Sequence, residues 1–134
     1  MPSQLVGQTI LSQYKIEEFI AETTLGELYR AVDVRTNRSY AFTLLPKSIS
    51  EKIEAIKELE AESSILRAIK HPNITPYLGV FQAPTLAFLL EEWIDGPSLK
   101  DVLQKALVNF QEALIYVKAL CNALEALHKR NYLH

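Results

Sequence analysis

Apolar and polar residues alternate along Tyr14–Ile20 (YKIEEFI), the period of an extended strand with one buried face. Ala21–Leu25 interrupts that run with a small polar turn, and Gly26 opens a second run. Arg35–Arg38 (RTNR) predicts another turn, in which Asn37 is the residue suited to positive φ. Ser39–Leu45 is rich in β-formers and predicts a third strand. Ile74–Gln82 and Leu86–Trp93 predict two more around a turn at Ala83–Thr85, with Pro76 marking an edge or a bulge. A five-stranded antiparallel sheet follows, and Met1–Gln13 is expected to be a loose leader.

Between the third and fourth runs the period changes. Ser48 and Ser50 compete as N-caps for one long helix ending near Lys70. Ala55, Leu59, Glu62, Leu66 and Ile69 are spaced by four, three, four and three, which is one helical face. Glu62 is the exception in that apolar stripe; by itself it reads as an edge residue reaching back to water. His71-Pro72-Asn73-Ile74 ends the helix, and His71 beside a proline reads as a turn residue. Ser98 begins a short helix with Asp101 three residues on, a capping-box variant. Asn109 caps a longer helix from Phe110 to about Arg130, which Asn131 can end in the left-handed region. Leu114, Val117, Cys121, Leu124 and Leu127/His128 hold helical period there, so Cys121 is expected in the core.

Composition narrows the function. With 134 residues, 49% of them apolar, the chain can bury a core and is not disordered. A net charge of -2 with scattered basic residues gives no electrostatic case for nucleic acid or an anionic membrane. The single Cys121 cannot form an internal disulfide, which agrees with a reducing, cytoplasmic setting. No basic segment leads into a long apolar one at the N-terminus, and no apolar run approaches the roughly 18 residues that span a bilayer.

Five segments fall in register with one known pattern. Ile20-Ala21-Glu22-Thr23-Thr24-Leu25-Gly26-Glu27-Leu28-Tyr29 aligns without gaps on a G-x-G-x-x-G-x-V loop, and Tyr40-Ala41-Phe42-Thr43 aligns on V-A-I-K. Glu62 lies nine residues before His71 of HPNI. Glu91–Leu99 (EEWIDGPSL) matches x-E-Y-V-x-G-G-x-L, and LHKR-x-x-x-H closes the chain at His134. In this the chain resembles the protein kinases, and YRAVD with TNR looks most like the eukaryotic-like serine/threonine kinases of bacteria. The resemblance runs from Tyr14 to the end. It implies an α+β fold: a kinase small lobe (residues 14–94, five strands plus one helix), then the hinge and first helices of the large lobe (95–134), stopping at the catalytic loop.

The same resemblance locates a nucleotide site and shows it altered. Ala21 and Thr23 stand where the first two loop glycines belong, and only Gly26 remains. Glycines there let backbone N–H groups approach phosphate oxygens without a Cβ in the way. Thr43 replaces the lysine that sets a positive charge against the phosphates, and Glu62 matches its glutamate partner. Glu91 falls behind the adenine ring, and the backbone of Glu92 and Ile94 would face it. Leu28 and Ala41 match residues above the ring and Leu99 the one beneath, although Leu28 and Ala41 could equally be plain core. Leu66 and Tyr77 match residues that tie the helix to the sheet.

With no lysine at 43, Glu62 lacks its family cation. Arg30 continues past Leu28 away from the phosphate side, and Lys47 lies about 13 Å beyond Thr43 along an extended strand. Glu62 is therefore expected to turn outward, to accompany a displaced helix, or to meet an unforeseen basic residue. His134 would be the first residue of the catalytic loop, with the catalytic aspartate and the magnesium ligands beyond it. The resemblance thus implies a pseudokinase-like domain acting through protein partners, with ATP and Mg bound weakly if at all. The alternatives are the front of a working serine/threonine kinase with atypical phosphate contacts, or a purely structural interaction domain. Without the lower lobe, the last helix is expected to expose an apolar face and to limit solubility.

Overall fold

The computed structural model describes residues 4–133, so the expectation for His134 lies outside the described residues. Strands β1 (Thr9–Ile10), β2 (Tyr14–Glu22), β3 (Glu27–Asp33), β4 (Ser39–Leu44), β5 (Tyr77–Ala83) and β6 (Leu86–Glu92) form one sheet in the order β1-β2-β3-β4-β6-β5. Every neighbouring pair is antiparallel. The sheet thus has six strands, and the sixth comes from the segment expected to be loose. Ile10 pairs with Tyr14, and the turn between them is closed by the Gln13 N–H donating to the Ile10 carbonyl at 3.1 Å. Gly7 N–H donates to the Ile16 carbonyl at 2.8 Å, Ile16 N–H donates to the Gln8 carbonyl at 2.9 Å, and Ile10 is buried.

Period-two alternation divides the sheet into two faces. On one, Tyr14, Ile16, Tyr29, Ala31, Phe42, Phe88 and Leu90 form a buried cluster with Ile10, and the Phe42 and Phe88 rings stack at 4.2 Å. On the other, Leu45, Ala87 and Leu89 meet Ile56, with Ile49, Leu59, Tyr77 and Val80 packed around them. Burying a large aliphatic side chain is worth about 1.5–3 kcal/mol, so these two clusters carry the fold. The β3–β4 turn follows the sequence expectation, with Asn37 at φ 58°. Asp33 organises it from a buried position: its carboxylate accepts from the Gln13 side chain and from the Arg35 N–H, each at 2.8 Å. These bonds hold its carboxyl below the usual range, and they tie the N-terminal segment to the turn.

The expected single helix is two. Helix α1 (Lys47–Ser50) starts directly after Pro46, whose fixed φ of -66° suits the entry to a helix, and no side chain caps it. Helix α2 (Ile53–Ala68) begins afresh, so neither Ser48 nor Ser50 caps it. Its buried residues are Ile56 and Ser63, with Leu59 and Leu66 half-buried. The helix is rotated by one position relative to the expected stripe, and Glu62 is exposed. Close approach to β5 explains the rotation: a Cβ on Gly79 would lie 3.4 Å from Ser63 Oγ, so small residues face each other. β5 is an edge strand with a register shift between Tyr77 and Gly79; it begins after Pro76 rather than at Ile74.

The chain divides into two compact units: residues up to Ala68 with Pro76–Trp93, and Ile69–Thr75 with the residues from Ile94 on. In the second, helix α3 (Leu99–Lys105) starts from a reciprocal box in which Asp101 N–H donates to Ser98 Oγ at 3.1 Å and Ser98 N–H to Asp101 Oδ2 at 3.0 Å. Helix α4 (Phe110–His128) starts the same way, Glu112 N–H donating to Asn109 Oδ1 at 2.9 Å and Asn109 N–H to Glu112 Oε2 at 3.2 Å. After it Asn131 takes φ 56°, with Tyr132 N–H donating to the Leu127 carbonyl and Asn131 N–H to that of His128. That is a Schellman ending. Phe110, Leu114, Ile115, Val117, Leu120 and Leu124 are exposed along α4. Cys121 is exposed as well, against the expectation that it is core: the face it occupies has no covering element among the described residues.

Candidate functional site

The β2–β3 turn satisfies its own backbone. Thr23 N–H donates to the Gly26 carbonyl at 2.8 Å, and Gly26 N–H donates back to the Thr23 carbonyl at 3.3 Å. Thr23 Oγ1 donates to the Gly26 carbonyl at 2.9 Å and accepts from the N–H groups of Leu25 and Gly26, each at 3.3 Å. A hydroxyl at position 23 therefore occupies donors that a bound anion would otherwise use. Glu22 and Glu27 form the closing cross-strand pair of this hairpin. They also line a hollow of about 170 Å³ with Thr23, Gly26, Leu44, Leu45 and Pro46. Among the described residues that line it, no side chain is basic. The sequence reading passed over Glu22 and Glu27, whose positions bracket the turn.

Gly26 is required by the fold itself. At φ 150°, a Cβ there would stand 1.9 Å from the Leu44 carbonyl oxygen, inside any possible contact distance. The glycine thus serves the approach of β3 to β4, whatever else binds nearby.

Register then places the sheet residues. Ala21 pairs with Leu28, Leu28 with Thr43, and Thr43 with Leu89, one row across four strands. The next row runs Arg30, Ala41, Glu91, Tyr77. Ala21, Leu28 and Ala41 are half-buried and Thr43 is buried, so no charge stands at position 43. Arg30 Nη2 instead holds Glu17 Oε2 at 2.8 Å. Glu91 is half-buried, and burial pushes its carboxyl above the usual range.

Apart from Tyr77, the remaining expected residues are not members of these rows. Glu62 is exposed on α2, the first of the three outcomes foreseen for it, and it is not buried beside Glu91. Glu92 is exposed at the end of β6, its N–H donating to the Pro76 carbonyl at 3.0 Å. Ile94 and Leu99 belong to the second unit and are exposed. Leu66 and Tyr77 are half-buried, and Tyr77 packs against the cluster on the α2 side of the sheet. No helix is long and apolar enough to cross a membrane among the described residues.

Comparison with known proteins agrees with this architecture. The family model for the protein kinase domain matches residues 14–134. CBL-interacting serine/threonine-protein kinase 20 of Arabidopsis thaliana is 23% identical over 128 residues, covering 96% of this chain and 29% of that protein. Mitogen-activated protein kinase kinase kinase 1b of Physcomitrium patens is 30% identical over 121 residues, covering 87% of this chain and 15% of that protein. The crystal structure of the Mycobacterium tuberculosis PknI kinase domain superposes with a TM-score of 0.77 at 20% identity, covering 96% of this chain and 52% of that one. The chain therefore spans less than a third of these relatives and about half of the solved kinase domain. A sheet curled around a stacked aromatic core, one long helix on its second face, capped helices after the hinge and a matched family pattern from Tyr14 onward together make this chain a member of the protein kinase family.

Proposed function

We propose that this is a pseudokinase-like domain that works through protein contacts and holds nucleotide triphosphate weakly or not at all. The observation that carries the reading is Thr43, buried and uncharged where the family pattern has its lysine. Three further features support it: turn donors engaged by Thr23, the paired Glu22 and Glu27, and an exposed Glu62. A triphosphate at this hairpin would meet two carboxylates and no lysine, so the residues present do not suit ATP with Mg. Leu28 and Ala41 keep an apolar surface that would still accept a bare adenine ring. A cytoplasmic setting and protein partners belong to the same reading.

A second reading is the front part of a serine/threonine kinase with atypical phosphate contacts. The names of the relatives favour it, since both are called kinases and the chain spans only part of each. Thermal-shift titration separates the two. A ligand at about a hundred times its Kd stabilises a protein by about 2.7 kcal/mol, a shift of several degrees. Under the first reading Mg·ATP at millimolar concentration leaves Tm within about a degree. Micromolar binding of Mg·ATP would reject that reading in favour of the second.

A further inference from the structure

We propose that the sheet face around Glu91 binds a small, flat organic cation: a single aromatic ring carrying an amidinium or a comparable charged nitrogen group. This deepens the function proposed above and rests on its reading that the same face does not hold a triphosphate. Register defines the surface. Arg30, Ala41, Glu91 and Tyr77 occupy one row, and Leu28, Thr43 and Leu89 occupy the next row on the same face. Leu89 and Tyr77 pack on the α2 side. Leu28 and Ala41 are half-buried and belong to neither core cluster among the described residues.

Charge decides the occupant. The Glu91 carboxylate is half-buried, yet it accepts no hydrogen bond and forms no ion pair among the described residues. Burial raises its carboxyl above the usual range, and no neighbouring cation offsets that effect. Arg30, the basic residue of the row, stands beyond Ala41, two strand spacings or about 10 Å away. Its Nη2 is already held by Glu17 Oε2 at 2.8 Å. A bidentate cation would restore the charged form of Glu91 through two charge-assisted bonds. Ala41 lies one strand spacing, about 5 Å, from Glu91, and its methyl group leaves the surface above the strand low. A ring lying on Ala41, with Leu28 at its edge on β3, therefore reaches Glu91 with an attached amidinium. A neutral ring gains only the apolar contact, and an anion is repelled.

The test titrates the 134-residue chain by NMR with three probes. Benzamidine has both ring and charge, benzamide the ring without the charge, and methylguanidinium the charge without the ring. Benzamidine should bind at least about tenfold tighter than either, the size expected of a charge-assisted pair joined to an apolar contact. Amide shifts should fall on Leu28, Ala41 and Glu91. Glu91→Gln should lower the affinity for benzamidine to that for benzamide. Glu92→Gln removes a neighbouring, exposed carboxylate and should leave the preference intact. Ala41→Val keeps the carboxylate but crowds the ring, and should weaken benzamidine several-fold while sparing methylguanidinium. Equal affinity for benzamidine and either other probe, no binding, shifts elsewhere, or the same loss in Glu92→Gln would overturn the proposal. Tight Mg·ATP binding with the benzamidine preference intact would overturn the proposed function alone. Weak Mg·ATP binding with no such preference would overturn the cation site alone.

Discussion

Gly26 and Leu44 lie so close that a Cβ on the glycine would stand 1.9 Å from the leucine carbonyl oxygen. The residue that survives from a phosphate-binding pattern is thus the one the sheet needs for its own closure. Gly26→Ala should cost more than about 2 kcal/mol in urea unfolding, with a lowered midpoint and an unchanged slope. Gly7→Ala is the control: φ there is 89°, but nothing lies within 4 Å of the added Cβ, so its loss should be the smaller. Equal losses would show that backbone conformation, not the contact with Leu44, demands the glycine.

Under the proposed function, a lysine at position 43 should not by itself confer tight nucleotide binding. Thr43→Lys brings back a cation but leaves Thr23 bonded to the turn N–H groups and Glu22 opposite Glu27. Mg·ATP affinity measured by calorimetry should change by less than about threefold, far below the effect of a full phosphate clamp. A gain of a hundredfold would show that the loop was competent all along.

Two carboxylates should give opposite pH dependences. Hydrogen bonds hold the Asp33 carboxyl below its unfolded value, so its contribution is complete at neutral pH and lost as pH falls through the folded value. Asp33→Asn should therefore destabilise at pH 7 and flatten the acid side of the stability curve. Burial raises the Glu91 carboxyl, so its contribution is complete below the unfolded value and lost as pH rises through the folded one. Glu91→Gln should accordingly stabilise at pH 7, with the gain fading towards pH 4 in the same urea series.

The exposed apolar face of α4 is expected to govern the solution behaviour of the chain. Ile115 is 67% exposed and Leu120 55%, so neither contributes much to folding here. Replacing both by lysine should leave unfolding stability within about 0.5 kcal/mol per site. The soluble fraction should rise, and sedimentation velocity should show less self-association. A large loss of stability would mean that this face is packed in solution.

Much of the fold was legible because the decisive residues have local causes. Asn37 and Asn131 take the positive φ that their side chains tolerate, and Ser98 and Asn109 cap the helices they precede. The β1–β2 turn was not legible: its two central residues, Leu11 and Ser12, have φ of 52° and 54° without a glycine or asparagine to announce them. Tertiary pairing imposes that turn. Nor could the stripe of α2 be phased correctly, because apolar spacing could not know that Gly79 would draw Ser63 inward and leave Glu62 outside. At the site the substitutions at 21, 23 and 43 were plain in the sequence. That the Thr23 hydroxyl bonds the Gly26 carbonyl and the N–H groups of Leu25 and Gly26 needed coordinates.

The family pattern starts at Tyr14, but the folded body starts earlier. Ile10 seals one end of the aromatic cluster, Leu5 packs beside it, and Gln13 fastens Asp33. A recombinant version trimmed to the homology boundary would lose that plug and leave a raw strand edge beside Tyr14 and Ile16, open to pairing with a neighbouring molecule. Expression boundaries for this protein are therefore better drawn from its hydrogen bonds than from its relatives.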